Sequence, residues 1–251
     1  MAAITMLAVC ILSCQKKNDV VNAEAAAKTG ADSTARSLLK EWTRDGRTYH
    51  FHYDRMGYID SVVAVGPGSN TYTYRITHQG KYIDSSSLWQ NGQLISSKKN
   101  VGYDLLGRVT NFDYQLHVYP APPRQYQLTY NAQGDVYTME VLDQAPVKDT
   151  FGYSADHGLR LRDSRSSGAT FISTYTNDAG SNPLRSIDGL VIFTEEGFHD
   201  LWFNGRNVIR QVSLSPQTGT TDYVNLYDPS GRIISSTGTG YSPRTMTFTY
   251  Y

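Results

Sequence analysis

The strongest constraint on how this chain folds is a short unit that recurs along it. Tyr53-Asp-Arg-Met-Gly57-Tyr-Ile59, Tyr103-Asp-Leu-Leu-Gly107-Arg-Val109, Tyr130-Asn-Ala-Gln-Gly134-Asp-Val136 and Tyr227-Asp-Pro-Ser-Gly231-Arg-Ile233 all read Tyr-Asp/Asn-x-x-Gly-x-Val/Ile. Degenerate copies run from Ile76 to Gly80, Tyr153 to Gly158, Tyr175 to Gly180 and Phe193 to Gly197. From Gly57 to Gly180 the unit glycines are 23, 27, 27, 24 and 22 residues apart, a period that marks a repeat architecture. An Asp or Asn at the first turn position accepts backbone amides two residues on, and a glycine then takes positive φ without steric cost. Asn91-Gly92 and Asn204-Gly205 read as two further tight hairpin turns.

The segments before these turns alternate with period two. Tyr49, Phe51 and Tyr53 face one way, and His50 and His52 the other. Tyr72, Tyr74 and Ile76 oppose Thr71, Thr73 and Arg75, and the same pattern returns in Tyr126, Leu128 and Tyr130 and in Met246, Phe248 and Tyr250. Such alternation predicts antiparallel strands with one aromatic face and one Thr/Ser/Arg face. The 19 tyrosines, against 8 Phe and 3 Trp, agree with it. A chain of 251 residues accommodates one large all-β domain.

The Tyr-Asp-x-x-Gly-Arg-Val/Ile units resemble the YD repeats of Rhs-type and teneurin-type proteins. The resemblance covers about residues 49–251 and is strongest at Tyr103–Val109 and Tyr227–Ile233. It implies β-hairpins strung into a strip of antiparallel sheet, which in the largest relatives coils into a hollow shell. Seven or eight hairpins are too few to close such a shell, so the expectation is an all-β fold of antiparallel β-hairpin repeats forming a twisted, curled sheet. Its aromatic face must be covered by curling or by a partner. Helices are expected only before residue 43. Among relatives the chain looks most like small YD-like lipoproteins of Gram-negative envelopes.

The N-terminus points the same way. Residues 1–13 are almost uniformly apolar, and Gln15, Lys16 and Lys17 then turn the chain polar. Thirteen residues reach about 20 Å as a helix, short of the roughly 30 Å hydrocarbon core, so a signal-peptide h-region fits and a spanning helix does not. Ile11-Leu12-Ser13-Cys14 resembles a bacterial lipobox, which implies lipidation of Cys14. Cys10, after the bulkier Val9, is the weaker candidate. Met1–Met6 holds no Lys or Arg, so translation is expected to start upstream of Met1. Residues 14–37, rich in Ala, Lys, Asn, Asp and Ser and without an aromatic, read as a lipidated tether of roughly 25 Å r.m.s. span. Residues 38–251 form the repeat domain.

Composition excludes several functions. Lys+Arg and Asp+Glu both number 23, and this neutrality argues against nucleic-acid binding. The only cysteines are Cys10 and Cys14, which leaves the domain without disulfide, thiolate metal site or thiol nucleophile.

Candidate chemistry is sparse. His50 and His52 share a strand face, but two ligands do not make a zinc site and no third is assignable, so an exposed polar face is the better reading. His199-Asp200, with Glu195 and Glu196, is the densest ionisable cluster, yet adjacent strand residues point apart and no catalytic carboxylate pair emerges. Of 23 acids 18 are Asp, and Asp54, Asp104 and Asp228 are explained by turn capping. Gly66–Asn70 and Tyr119–Pro123 read as loops between hairpins. A tyrosine stripe, with Trp89 beside Gln90, Asn91 and Gln93, offers stacking surfaces for sugars, although packing between hairpins accounts for the tyrosines. The C-terminal Thr247–Tyr251 alternates like an outer-membrane strand, but the strands lack the aliphatic lipid-facing band of a membrane barrel.

The sequence therefore predicts a non-enzymatic, lipid-anchored protein of the bacterial envelope, most simply at the outer membrane, with a structural or protein-interaction role. It predicts no cofactor, no metal and no catalytic residue. The expected partners are the bilayer through acylated Cys14, and an envelope protein or a glycan, the last giving the alternative of a glycan-binding surface lipoprotein using the aromatic sheet face.

Overall fold

The computed structural model describes residues 38–142, 146–166, 168–185, 187–194 and 199–251. Cys14 and the expected signal peptide and tether lie outside the described residues.

Eight strands come first: β1 (Leu39–Arg44), β2 (Arg47–Tyr53), β3 (Ile59–Val65), β4 (Thr71–Gln79), β5 (Tyr82–Gln90), β6 (Gln93–Tyr103), β7 (Val109–Leu116) and β8 (Arg124–Tyr130). Then follow β9 (Val136–Leu142), β10 (Val147–Tyr153), β11 (Leu159–Ser166) and β12 (Ala169–Ser181). Two short helices, α1 (Ile187–Ile192) and α2 (His199–Phe203), interrupt the series before β13 (Arg206–Ser215), β14 (Gly219–Tyr227), β15 (Ile233–Gly240) and β16 (Thr245–Tyr250). Every strand pairs antiparallel with its sequence neighbours, and β16 returns to β1 with Leu39 opposite Tyr250 and Arg44 opposite Met246. The sheet is a closed barrel, not an open, curled strip.

Closure corrects the expectation that so few hairpins leave the sheet open, and the reason lies in the lumen. A barrel of this many strands is too wide for its own wall side chains to fill, and in porins the remainder is water. Here the connection between β12 and β13 supplies the missing filling. Leu190, Val191, Ile192 and Phe193 are buried, as are Leu201, Trp202 and Phe203. Phe193 stacks on Trp202 with ring centroids 5.0 Å apart, and Tyr74 meets Phe193 edge-on at 4.8 Å. Trp42 reaches Trp202 at 5.7 Å and Phe151 reaches Phe203 at 5.0 Å. Residues from β1, β4 and β10 thus converge on one internal aromatic cluster, with the plug at its centre. Ser86 Oγ donates to the Val191 carbonyl at 2.8 Å and the buried Lys98 Nζ to the Ile192 carbonyl at 3.3 Å, which satisfies carbonyls at the end of α1.

The alternation read from the sequence sets the wall. Tyr49, Phe51, Tyr74, Ile76, Tyr126 and Leu128 are buried inward, whereas Arg75 and Thr77 on β4 and Gln125 and Gln127 on β8 are exposed. Exposed apolar residues on β11 to β15, namely Leu161, Phe171, Leu214, Val224, Leu226 and Ile234, interrupt the polar exterior. Among the described residues no helix is long and apolar enough to cross a membrane.

Four expectations from the sequence are overturned here. Helices are not confined to the N-terminal segment. Phe193 is no hairpin residue but follows α1, its amide donating to the Gly189 carbonyl at 2.8 Å; Gly197 lies outside the described residues. Tyr175–Gly180 makes no turn and runs within β12. Asn204-Gly205 closes no hairpin either: it is the exit of the plug, and the Gly205 amide donates to the His157 carbonyl at 2.9 Å. Asn91-Gly92 does turn tightly between β5 and β6, both residues at positive φ (50° and 85°).

Candidate functional site

The Tyr-Asp-x-x-Gly turns gather on one rim, because each joins an even strand to the next odd one. At Asp104 the carboxylate Oδ1 accepts the Leu106 and Arg108 amides, both at 2.9 Å, and Oδ2 accepts Arg108 Nε at 2.7 Å. Asp228 repeats the arrangement with the Ser230 amide at 2.9 Å, the Arg232 amide at 3.0 Å and Arg232 Nε at 2.7 Å. The Arg232 amide, against a smaller opposing effect of burial, and then the Arg232 guanidinium hold the Asp228 carboxyl below the usual range. The unit tyrosines tie neighbouring strands together, Tyr103 donating to the Ile83 carbonyl at 2.8 Å and Tyr130 to the Val109 carbonyl at 2.5 Å. Arg108 lies over the Tyr130 ring at 4.2 Å and Arg232 over Tyr250 at 4.8 Å, so each arginine covers the tyrosine that ends the next even-numbered strand.

The plug enters through this same rim, held by polar groups that the repeat does not contain. Asn182 Nδ2 donates to the Leu201 and Asn204 carbonyls at 2.7 and 3.0 Å, and Asn204 Nδ2 to Asn177 Oδ1 at 2.8 Å. Asn204 Oδ1 in turn accepts the Leu159 amide at 2.9 Å and the Arg206 amide at 3.0 Å. Beside this ladder Asp135 is buried between Arg185 Nη2 at 2.8 Å and His157 Nδ1 at 3.0 Å. Arg185 belongs to the plug connection and His157 to the turn between β10 and β11, so the buried carboxylate joins plug, rim and the Asn131–Gly134 turn. Burial and then the Asp135 charge push the Tyr153 phenol well above its ordinary value, with Arg185 opposing.

At this point a cavity of about 350 Å³ opens between plug and rim, bounded by Arg108, Tyr130, Val136, Arg185, Trp202 and Phe203. A second space, about 30 Å³, lies inside the barrel between the plug residue Leu184 and the wall residues Tyr223 and Phe248. That is room for little more than a water molecule.

The residues singled out from the sequence lie elsewhere. His50 is on the outer wall with Nδ1 3.2 Å from Glu41 Oε2, and His52 is exposed beside it. Among the described residues no group of three or more His, Cys, Asp or Glu is placed to hold a metal. His199 and Asp200 begin α2, while Glu195 and Glu196 lie outside the described residues. The tyrosine stripe faces the lumen, so the sheet face proposed for stacking on sugars is interior. Trp89 is on the outer wall, where Arg75 covers its ring at 4.7 Å and its Nε1 donates to Ser87 Oγ at 3.0 Å. The rim cavity was missed because its parts come from distant turns and from the plug. Asp135, sitting one residue before the unit's Val136 where two other units carry Arg, was the available signal.

No family model matches the chain, and none of the curated proteins does. Among solved structures it is similar to a porin-like protein from Bacteroides uniformis ATCC 8492, with 14% identity, a TM-score of 0.59 and coverage of 86% of this chain and 98% of that one. A porin-like protein from Bacteroides vulgatus ATCC 8482 aligns at 9% identity and a TM-score of 0.47, over 86% of this chain and 99% of that one. A chain of the TcdB2-TccC3-Cdc42 crystal structure aligns at 10% identity and a TM-score of 0.34; the match covers 76% of this chain but 12% of that one. The first likeness establishes a shared barrel fold, and the other two are too weak to carry an argument. The chain thus has the closed, antiparallel β-barrel fold of a porin-like Bacteroides protein.

Proposed function

We propose that this chain is a non-enzymatic cell-envelope protein, held to the outer membrane by lipid on Cys14, whose sealed barrel serves a structural or protein-interaction role. The observation that carries the reading is the polarity of the barrel. A transmembrane barrel presents an apolar band outward and a polar interior. This one buries Trp42, Tyr49, Phe51 and Tyr74 inward and fills its lumen with Phe193 and Trp202. Such a barrel suits an aqueous compartment, and with its lumen occupied it offers no conduit. The lipobox-like Ile11–Cys14 supplies the attachment, since acyl chains anchor what the barrel wall does not insert.

The test is metabolic labelling with an alkynyl fatty acid in cells expressing the chain or its Cys14→Ser variant. The expected result is label and membrane fractionation for the parent and loss of both in the variant. A parent protein that resists carbonate extraction without carrying label would overturn the anchoring. Ion flux through liposomes reconstituted with the barrel would overturn the sealed-module reading.

A further inference from the structure

The rim cavity has the features of a ligand site that the structural role does not require. Its volume of about 350 Å³ falls at the lower end of the roughly 300–1,000 Å³ typical of small-molecule pockets. One side is apolar, made by Val136, Trp202 and Phe203, all buried. The other side is basic. Around the opening Arg185 and Arg108 are 41% and 30% exposed, whereas the Asp135 carboxylate, which also lines the cavity, is 1% exposed. A molecule entering from solvent therefore meets the cations before the buried acid. Asp104 is the other nearby carboxylate, and it engages Arg108 through Nε and Nη2 at 2.7 and 2.6 Å. Arg108 Nη1 lies on the cavity side, 3.6 Å from where a Cβ on Gly134 would stand. Arg185 meets Asp135 through Nη2. Each guanidinium carries five N–H donors, so both retain donors beyond those pairs.

We propose that this cavity binds a small organic anion, its oxyanion head between Arg108 and Arg185 and its flat apolar body against Trp202 and Phe203. Guanidinium groups suit planar carboxylate and phosphate heads alike, and the apolar wall demands a body to bury. The two arginines come from separate chain segments, one from a repeat turn and one from the plug. The site therefore exists only in the closed, plugged barrel.

Isothermal titration of the full chain carrying Cys14→Ser, with phenylacetate and phenyl phosphate as probes, tests the proposal. The comparison compounds are phenylacetamide, which keeps the ring without the charge, and inorganic phosphate, which keeps the charge without the ring. The expected result is saturable binding of at least one aromatic anion, about tenfold or more tighter than either comparison compound. The stronger of the two probes identifies the head group. Arg185→Gln should weaken it about tenfold, and because that change also loosens the plug, Arg108→Gln is the decisive variant. It should weaken binding by a similar factor while the tryptophan bands of the near-ultraviolet circular dichroism stay unchanged. Equal binding of phenylacetamide, inorganic phosphate binding as tightly as phenyl phosphate, undiminished affinity in the Arg108→Gln protein, or no saturable binding of either anion at millimolar concentration would each overturn the proposal.

Discussion

At the residue scale the turn aspartates set the geometry of the rim. Asp54 Oδ1 accepts the Met56 and Tyr58 amides at 2.8 and 3.0 Å, and the Gly57 amide closes the turn on the Asp54 carbonyl at 3.1 Å. Gly57 has φ of 81°, which a side chain there would strain. Asp54→Ala removes the oxygen that accepts both amides in a solvated turn and should cost about 1–2 kcal/mol, read as a lower urea midpoint at unchanged slope. The acids also give the protein an acid limb. Asp228 has a lowered pKa, as does Asp104, where hydrogen bonds from Arg108 and Leu106 together outweigh the raising effect of burial. Lowered native pKa values mean that the stability these groups confer is complete above the ordinary carboxylate value of about 3.9. It is lost as the pH falls below that value through the native ones. Melting temperature should therefore drop below about pH 4, and Asp228→Asn should flatten that drop, since the amide does not titrate. An unaltered acid limb in the variant would show that Asp228 contributes nothing to it.

At the element scale the plug matters most, because α1 and α2 are too short to be stable alone and persist through what surrounds them. Phe193 touches Tyr49, Phe51, Tyr74 and Trp202. Phe193→Ala leaves a cavity that sixteen paired strands cannot collapse to fill, and it should cost about 3–5 kcal/mol, seen as a melting temperature lower by roughly 10 °C. Gly189 is a tight approach of another kind. A Cβ there would lie 2.5 Å from Trp202 Cε3, so Gly189→Ala has to displace the indole from its stack on Phe193. The expected readout is loss of near-ultraviolet circular dichroism from the aromatic cluster with far-ultraviolet strand signal retained. A Gly189→Ala protein with an unchanged aromatic spectrum would mean that α1 shifts instead.

For the whole molecule the seam between β1 and β16 decides whether there is a barrel at all. Tyr250 donates to the Ile233 carbonyl at 2.9 Å, Tyr53 to the Leu39 carbonyl at 2.8 Å, and the Tyr251 hydroxyl to the Phe51 carbonyl at 3.1 Å, so phenols cluster beside the β1–β16 seam. Burial is the leading cause that pushes Tyr53 and Tyr250 up to about 12. Phenols that resist ionisation in the fold but not in the open chain contribute stability that is complete below the ordinary value of about 10. That stability disappears as the pH rises from there through about 12. Melting temperature should fall over this alkaline window, and Tyr250→Phe should shift its onset upward. A fall beginning well below the ordinary tyrosine value would point to another group.

Strand identity, turn chemistry and the sidedness of the wall were legible in the chain itself. Tyr49 and Phe51 against His50 and His52, and an Asp or Asn three residues before a glycine, are local instructions that period-two geometry and amide capping translate directly. Closure and the plug were not legible, because they depend on contacts between residues far apart in sequence. The stretch from Asn182 to Gly205 imitates the repeat in Phe193–Gly197 and in Asn204-Gly205, and only the unfilled lumen gives Phe193 another place to go. The rim cavity follows from the same cause, since Arg108, Asp135 and Arg185 meet only after the plug is seated. Sequence periodicity determined which face of each strand is apolar; the width of the closed barrel, which its own side chains cannot fill, decided what that face would enclose.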